Sequence, residues 1–137
     1  MKRLFLLTVL LVMAIGPGGS RVRAQEGRQL RYGDTVQGTI SGGGYRQVFY
    51  FQARRGDVVS AQMSPLSGSL DAVLLLADNA GNVLAMSDDA GESLGAAVAT
   101  VPIPEDNYYF VIATRFGHGL GVTEGGYELR LQRVGVT

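Results

Sequence analysis

Leu70-Asp71-Ala72-Val73-Leu74-Leu75-Leu76-Ala77-Asp78-Asn79-Ala80-Gly81-Asn82-Val83-Leu84-Ala85-Met86-Ser87-Asp88-Asp89 reads as two strands joined by a tight turn, with carboxylates at both ends. Alternate positions of the first strand carry Leu70, Ala72, Leu74 and Leu76, and then Val73, Leu75 and Ala77. A strand with no polar face belongs in the middle of a core and not at its rim. Asp78-Asn79-Ala80-Gly81 supplies the turn, because Asn79 and Gly81 take positive φ at little cost. Paired positions across such a hairpin sum to about 159–160, which sets Asp71 opposite Asp88 or Asp89. Like charges facing each other destabilise a pair, so something should compensate them.

Outward from this hairpin the chain keeps the same short period. Toward the N-terminus, strands are expected at residues 35–41, 45–53 and 57–63, the second rich in Tyr45, Val48, Phe49, Tyr50 and Phe51. Ser41-Gly42-Gly43-Gly44 reads as a plain hairpin loop. It is no phosphate loop, because no Lys-Ser/Thr pair and no helix follow it. Toward the C-terminus, residues 96–101 form a strand of small residues. Pro102 and Pro104 exclude a central strand after it.

Residues 107–115 are the second strand apolar on both faces, Tyr108, Phe110 and Ile112 against Tyr109, Val111 and Ala113. Residues 126–133 alternate, with Tyr127, Leu129 and Leu131 inward and Glu128, Arg130 and Gln132 in water. No window sustains a helical period. Eight short strands parted by Gly, Pro and Asp turns argue for an all-β, antiparallel two-sheet sandwich.

The start of the chain reads differently. Met1-Lys2-Arg3 is basic, residues 4–15 are apolar apart from Thr8, and Val22-Arg23-Ala24 places small residues where a signal peptidase cuts. The apolar run is short of the roughly 20 residues that a membrane span needs. We therefore read residues 1–24 as a signal peptide cleaved after Ala24, 25–33 as a loose lead-in, and 34–137 as one β-sandwich domain.

Of the 12 basic residues, Lys2, Arg3, Arg21 and Arg23 lie in the leader, so the mature chain is mildly acidic. That balance disfavours nucleic acid and anionic membranes as partners. With no cysteine, the exported domain relies on packing alone.

Several marks spread over the mature chain resemble the bacterial pre-peptidase C-terminal (PPC) domain family. They are Gly33-Asp34-Thr35-Val36-Gln37-Gly38-Thr39-Ile40, Tyr50-Phe51-Gln52-Ala53, Gly56-Asp57, Gly68-Ser69-Leu70-Asp71 and Leu74-Leu75-Leu76. Asp78-Asn79-Ala80-Gly81-Asn82-Val83-Leu84-Ala85, Asp88-Asp89, Ile103-Pro104, Tyr108-Tyr109 and Gly126-Tyr127-Glu128-Leu129 complete the series. The resemblance implies a jelly-roll-like β-sandwich that is non-catalytic, accompanies secreted enzymes and often binds an extracellular polymer. Some collagen-binding relatives carry calcium. Asn107 stands where the family usually has a glycine before its tyrosine pair.

Two constellations are candidates for chemistry. Between Gly56 and Thr114 there is no Lys or Arg but a run of acids, among which Asp71, Asp88 and Asp89 are weak candidate Ca²⁺ ligands. Against a metal, the 78–82 turn is no EF-hand loop, and Asp71 and Asp88 can instead accept backbone N–H bonds from neighbouring loops. Relatives that bind calcium are also expected to draw a ligand from the loop that is here Ser41-Gly42-Gly43-Gly44, which has no carboxylate.

The second constellation is Tyr45, Tyr50, Tyr108 and Tyr109, of which alternation forces one of the last two away from the core. Exposed strand tyrosines stack on sugars or pack on extended polymers. His118 is the single histidine, and thiol nucleophiles are absent.

The reading is a non-enzymatic module, secreted or held in the periplasm or cell envelope. It would bind an extracellular polysaccharide, a protein or a secreted enzyme through a sheet face or end loops, with no cofactor. The alternatives are a stabilising module with a weak Ca²⁺ site and, remotely, a small hydrolase.

Overall fold

The computed structural model describes residues 27–88 and 94–137, and shows an all-β fold of two facing sheets. The strands are β1 (Arg28–Gln29), β2 (Thr35–Ile40), β3 (Gln47–Ala53), β4 (Asp57–Pro65), β5 (Ala72–Ala77), β6 (Val83–Ser87), β7 (Ala96–Pro102), β8 (Asn107–Arg115) and β9 (Gly125–Val136). One sheet runs β1-β3-β8-β5-β6 and the other β2-β9-β4-β7. The signal-peptide reading, the cut at Ala24 and the candidate ligand Asp89 lie outside the described residues.

The sandwich is antiparallel as expected, apart from β1, which runs parallel to β3 with Arg28 beside Phe49 and Gln29 beside Tyr50. This ninth strand has no hydrophobic period to announce it. The segment read as a loose lead-in is tied down, because the Leu30 N–H donates to the Tyr50 carbonyl at 2.8 Å and the Leu30 side chain is buried in the core.

Both strands that are apolar on two faces lie inside the five-stranded sheet. β8 holds its centre and β5 lies next to it, covered on its far side by β6. Leu74 and Leu76 of β5 are fully enclosed with Phe51 and Tyr109 from the same sheet and Met63, Leu129 and Leu131 from the other. Truncating either leucine to alanine costs about 2–5 kcal/mol in a core of this kind.

The turn of the opening hairpin is wider than the sequence suggested. The Asp78 carboxylate accepts the N–H groups of Ala80 and Asn82, and the Asp78 N–H donates to the Asn82 carbonyl at 2.8 Å. Five residues therefore make the bend, and Gly81 takes a φ of 89°. Pairing runs Leu74 to Ser87, Leu75 to Met86 and Leu76 to Ala85, with a shift before Ala77 and Val83. The ladder ends at Leu74, so Asp71 does not face Asp88 across it.

Among the described strands, β5 and β6 are the only sequential neighbours that pair, and every other connection crosses between the sheets. Ser41 to Gly44 is thus an inter-sheet crossing and not a hairpin loop. It is closed by the Ser41 N–H on the Gly44 carbonyl at 3.2 Å.

Gly38 faces Tyr127 across the β2–β9 ladder. A methyl group there would collide with the Tyr127 hydroxyl and the Gln47 amide, which are bonded to each other between the sheets.

Candidate functional site

The outward faces of the two sheets differ in chemistry. On the four-stranded sheet, Gln37, Gln62, Glu128, Arg130 and Gln132 lie between the inward Tyr127, Leu129, Leu131, Ala61 and Met63, so that face is polar. On the five-stranded sheet, register places Val48, Tyr50 and Gln52 of β3 beside Ile112, Phe110 and Tyr108 of β8. Leu75 and Ala77 of β5 continue the row, with Met86 of β6 opposite Leu75. These outward positions carry no charge.

Val48, Tyr50, Leu75, Phe110 and Ile112 are half-buried by one another. Tyr108 is 41% and Met86 61% exposed.

The candidate tyrosines separate. Tyr50 and Tyr108 meet on this outer face edge to face, with ring centroids 5.9 Å apart. Tyr109 points the other way and is buried. Its hydroxyl donates to the Glu105 carbonyl at 2.6 Å, which fixes the bend into β8. Burial raises its pKa. Tyr45 lies two residues before β3 with the Arg115 guanidinium over its ring at 5.7 Å, and packs against the core. The structure therefore brings together two of the four.

Beyond Tyr108 the outer face runs into a cleft of about 500 Å³ at the end of the sandwich where β3 turns into β4. Tyr32, Gln52, Arg54, Asp106, Asn107 and Arg133 line it, with Asp57 at its base. The Tyr32 hydroxyl donates to Asp57 Oδ2 at 2.7 Å, and the Arg54 N–H donates to the same oxygen at 3.0 Å. Arg133 Nη1 lies 3.7 Å from Asp57 Oδ1 and its guanidinium covers the Tyr32 ring at 5.9 Å.

Burial works against the Asp57 charge, but the Arg54 N–H, the Tyr32 hydroxyl and Arg133 together outweigh it, so its pKa is lowered. Asp57 is thus an ionised carboxylate with one oxygen already holding two donors, suited to bracing the cleft and unsuited to passing protons. Sequence reasoning missed this cluster because Tyr32, Asp57 and Arg133 are far apart in the chain. The Gly56-Asp57 turn was its single local signal.

The candidate calcium ligands do not assemble in the described residues. Asp71 lies in the loop before β5, where its N–H donates to Thr123 Oγ1 at 3.1 Å, and Asp88 follows β6. Among the described residues no three carboxylates or histidines cluster as a metal site. His118 is exposed on a short 3-10 turn, His118–Leu120.

The two-sheet sandwich is like that of pre-peptidase C-terminal domains in its fold. The chain is similar in structure to the pre-peptidase C-terminal domain of a collagenase from Bacillus anthracis, with a TM-score of 0.64, 16% identity, and 79% of this chain and 96% of that one covered. It is also similar to PliG of Salmonella Typhimurium, a periplasmic inhibitor of g-type lysozyme, with a TM-score of 0.50, 14% identity, and coverage of 78% and 97%. The corresponding protein of Aeromonas hydrophila gives a TM-score of 0.49 at 10% identity, covering 78% of this chain and 96% of that one. No family model and no curated protein matches the sequence. Among the described residues, no helix is long and apolar enough to cross a membrane.

Proposed function

We propose that this chain is an exported, non-catalytic binding module. It grips an extended extracellular polysaccharide across the outer face of the five-stranded sheet. The observation that carries this reading is the pairing of the half-buried Tyr50 with the exposed Tyr108 on an uncharged face that opens directly into the Tyr32–Gln52–Asn107 cleft. Aromatic rings offer flat apolar surfaces to the C–H faces of sugar rings, and planar amide, carboxylate and guanidinium groups order hydroxyls by hydrogen bonding. Both are present here along one path from the outer sheet face into the cleft.

Export is supported by the leader-like start and by the likeness in fold to a periplasmic inhibitor. A non-catalytic role is supported by Asp57, which is held ionised by two donors on one oxygen, and by Tyr109, which is buried and bonded to Glu105. The test is affinity electrophoresis of the exported chain through gels containing soluble plant, fungal and bacterial polysaccharides. Retardation by at least one polymer, relieved by Tyr108→Ala, is the expected result. Equal mobility of both proteins in every gel would overturn the reading.

A further inference from the structure

At the end of the sandwich opposite the cleft, the loop between β8 and β9 has a construction that the polysaccharide face does not require. It displays Phe116, Leu120 and Val122 at 61%, 95% and 87% exposure. Leu66 and Leu94 are also exposed on the neighbouring loops. Those loops are tied to it. The Ser69 N–H donates to the Glu124 carbonyl at 2.8 Å and the Phe116 N–H to the Asp71 carbonyl at 2.9 Å, while Leu94 is held next to them by the N–H of Ala72, the first residue of β5, at 2.9 Å.

The loop is held from beneath by a buried cation. Arg115 Nε donates to the His118 carbonyl at 2.8 Å and Nη1 to the Thr123 carbonyl at 3.1 Å, while the guanidinium stacks over Tyr45. Gly117 and His118 both take positive φ, 81° and 51°, the second being a strained value for a residue with a side chain. Gly121 has no room for a side chain, since a methyl would strike the Phe116 carbonyl. Burying a guanidinium and straining His118 both cost stability. Here the return on that cost is a rigid loop that holds its largest apolar side chains in water.

We propose that residues 116–124 form a preformed plug that inserts Leu120, Val122 and Phe116 into an apolar cleft of a cationic partner protein. Charge selects this occupant. Among the described residues, Asp71, Asp88 and Glu124 lie at this end of the sandwich against one exposed cation, Arg46. An anionic bilayer is repelled by that rim, and a second copy would set like charges against like with two convex tips that bury little. A concave partner with a basic rim satisfies both the apolar tip and its carboxylates. Because the loop is already rigid, little ordering entropy is lost on docking.

The experiment uses the immobilised exported chain as bait for the extracytoplasmic proteins of the organism that makes it, followed by binding measurements with the purified captured protein. A basic partner is expected, its affinity falling at least about tenfold for Leu120→Ser and Val122→Ser, as for interface anchors generally. Glu124→Gln and 0.5 M NaCl are expected to slow association severalfold while leaving dissociation little changed. Both serines replace exposed side chains, so folding is preserved, and identical melting curves would confirm it. Capture unaffected by either serine, or capture of an acidic protein, would overturn the proposal. So would co-sedimentation with phosphatidylglycerol vesicles, or a dimer in sedimentation that Leu120→Ser dissolves.

Discussion

The Tyr32 hydroxyl donates a 2.7 Å hydrogen bond to Asp57 Oδ2, joining the segment before β2 to the first residue of β4. Asp57 also receives the Arg54 N–H and faces Arg133, so three separate stretches of chain converge on one carboxylate. Tyr32→Phe leaves that oxygen one donor short and is expected to cost about 1–3 kcal/mol by chemical denaturation. Asp57→Asn should cost as much or more.

The same contact makes stability depend on acidity. The native pKa of Asp57 is lowered below that of an unfolded aspartate. Its contribution is therefore fully present above about pH 4, and is lost as the pH falls through the native value. Melting temperature measured from pH 6 down to pH 2 should fall less steeply in Asp57→Asn than in the parent chain.

The opposite sign holds at the alkaline end. Burial pushes the Tyr127 hydroxyl up to about 12. An unfolded tyrosine ionises near pH 10, so this stabilisation is complete below about pH 10 and drains away between there and about pH 12. Tyr127→Phe should flatten that decline in alkaline melting curves.

Gly38→Ala tests the seam between the sheets. The added methyl has no space beside the Tyr127 hydroxyl and Gln47. Overpacking of this kind costs about 1–3 kcal/mol. Gly43→Ala, where nothing lies within 4 Å, should change stability little and serves as the comparison.

On the proposed polysaccharide face, Tyr50→Ala and Tyr108→Ala are each expected to weaken binding about tenfold. Tyr109→Phe removes a buried hydroxyl that ties Glu105 and should lower the melting temperature with no change in affinity. Equal losses of affinity for all three would place the site elsewhere.

Much of the fold was legible because its signals are local. Alternation in residues 126–133 foretold which side of β9 is wet, and the doubly apolar 107–115 foretold a strand deep inside a sheet. The prolines at 102 and 104 marked the end of β7, which is an edge strand. Where reasoning went astray, a distant contact decided the outcome. Arg28–Gln29 is a strand only because the edge of β3 accepts it. Ser41 to Gly44 leaves one sheet for the other because β2 pairs with β9 and not with β3. The Asp71–Asp88 opposition failed because the register shifts between Leu76 and Ala77 and the ladder ends at Leu74, short of Asp71.

The candidate tyrosines divide along the same line. Alternation alone required Tyr108 and Tyr109 to face opposite ways, because successive side chains of a strand point to opposite faces. That Tyr108 meets Tyr50, and that the charged groups of this region withdraw to a cleft braced by Tyr32, Asp57 and Arg133, depends on strands that pair across 50 residues or more. The amino-acid pattern determined a two-layer sandwich with one sheet apolar on both sides. Tertiary pairing decided which of those apolar residues remain uncovered, because exposure is a property of neighbours and not of the residue itself.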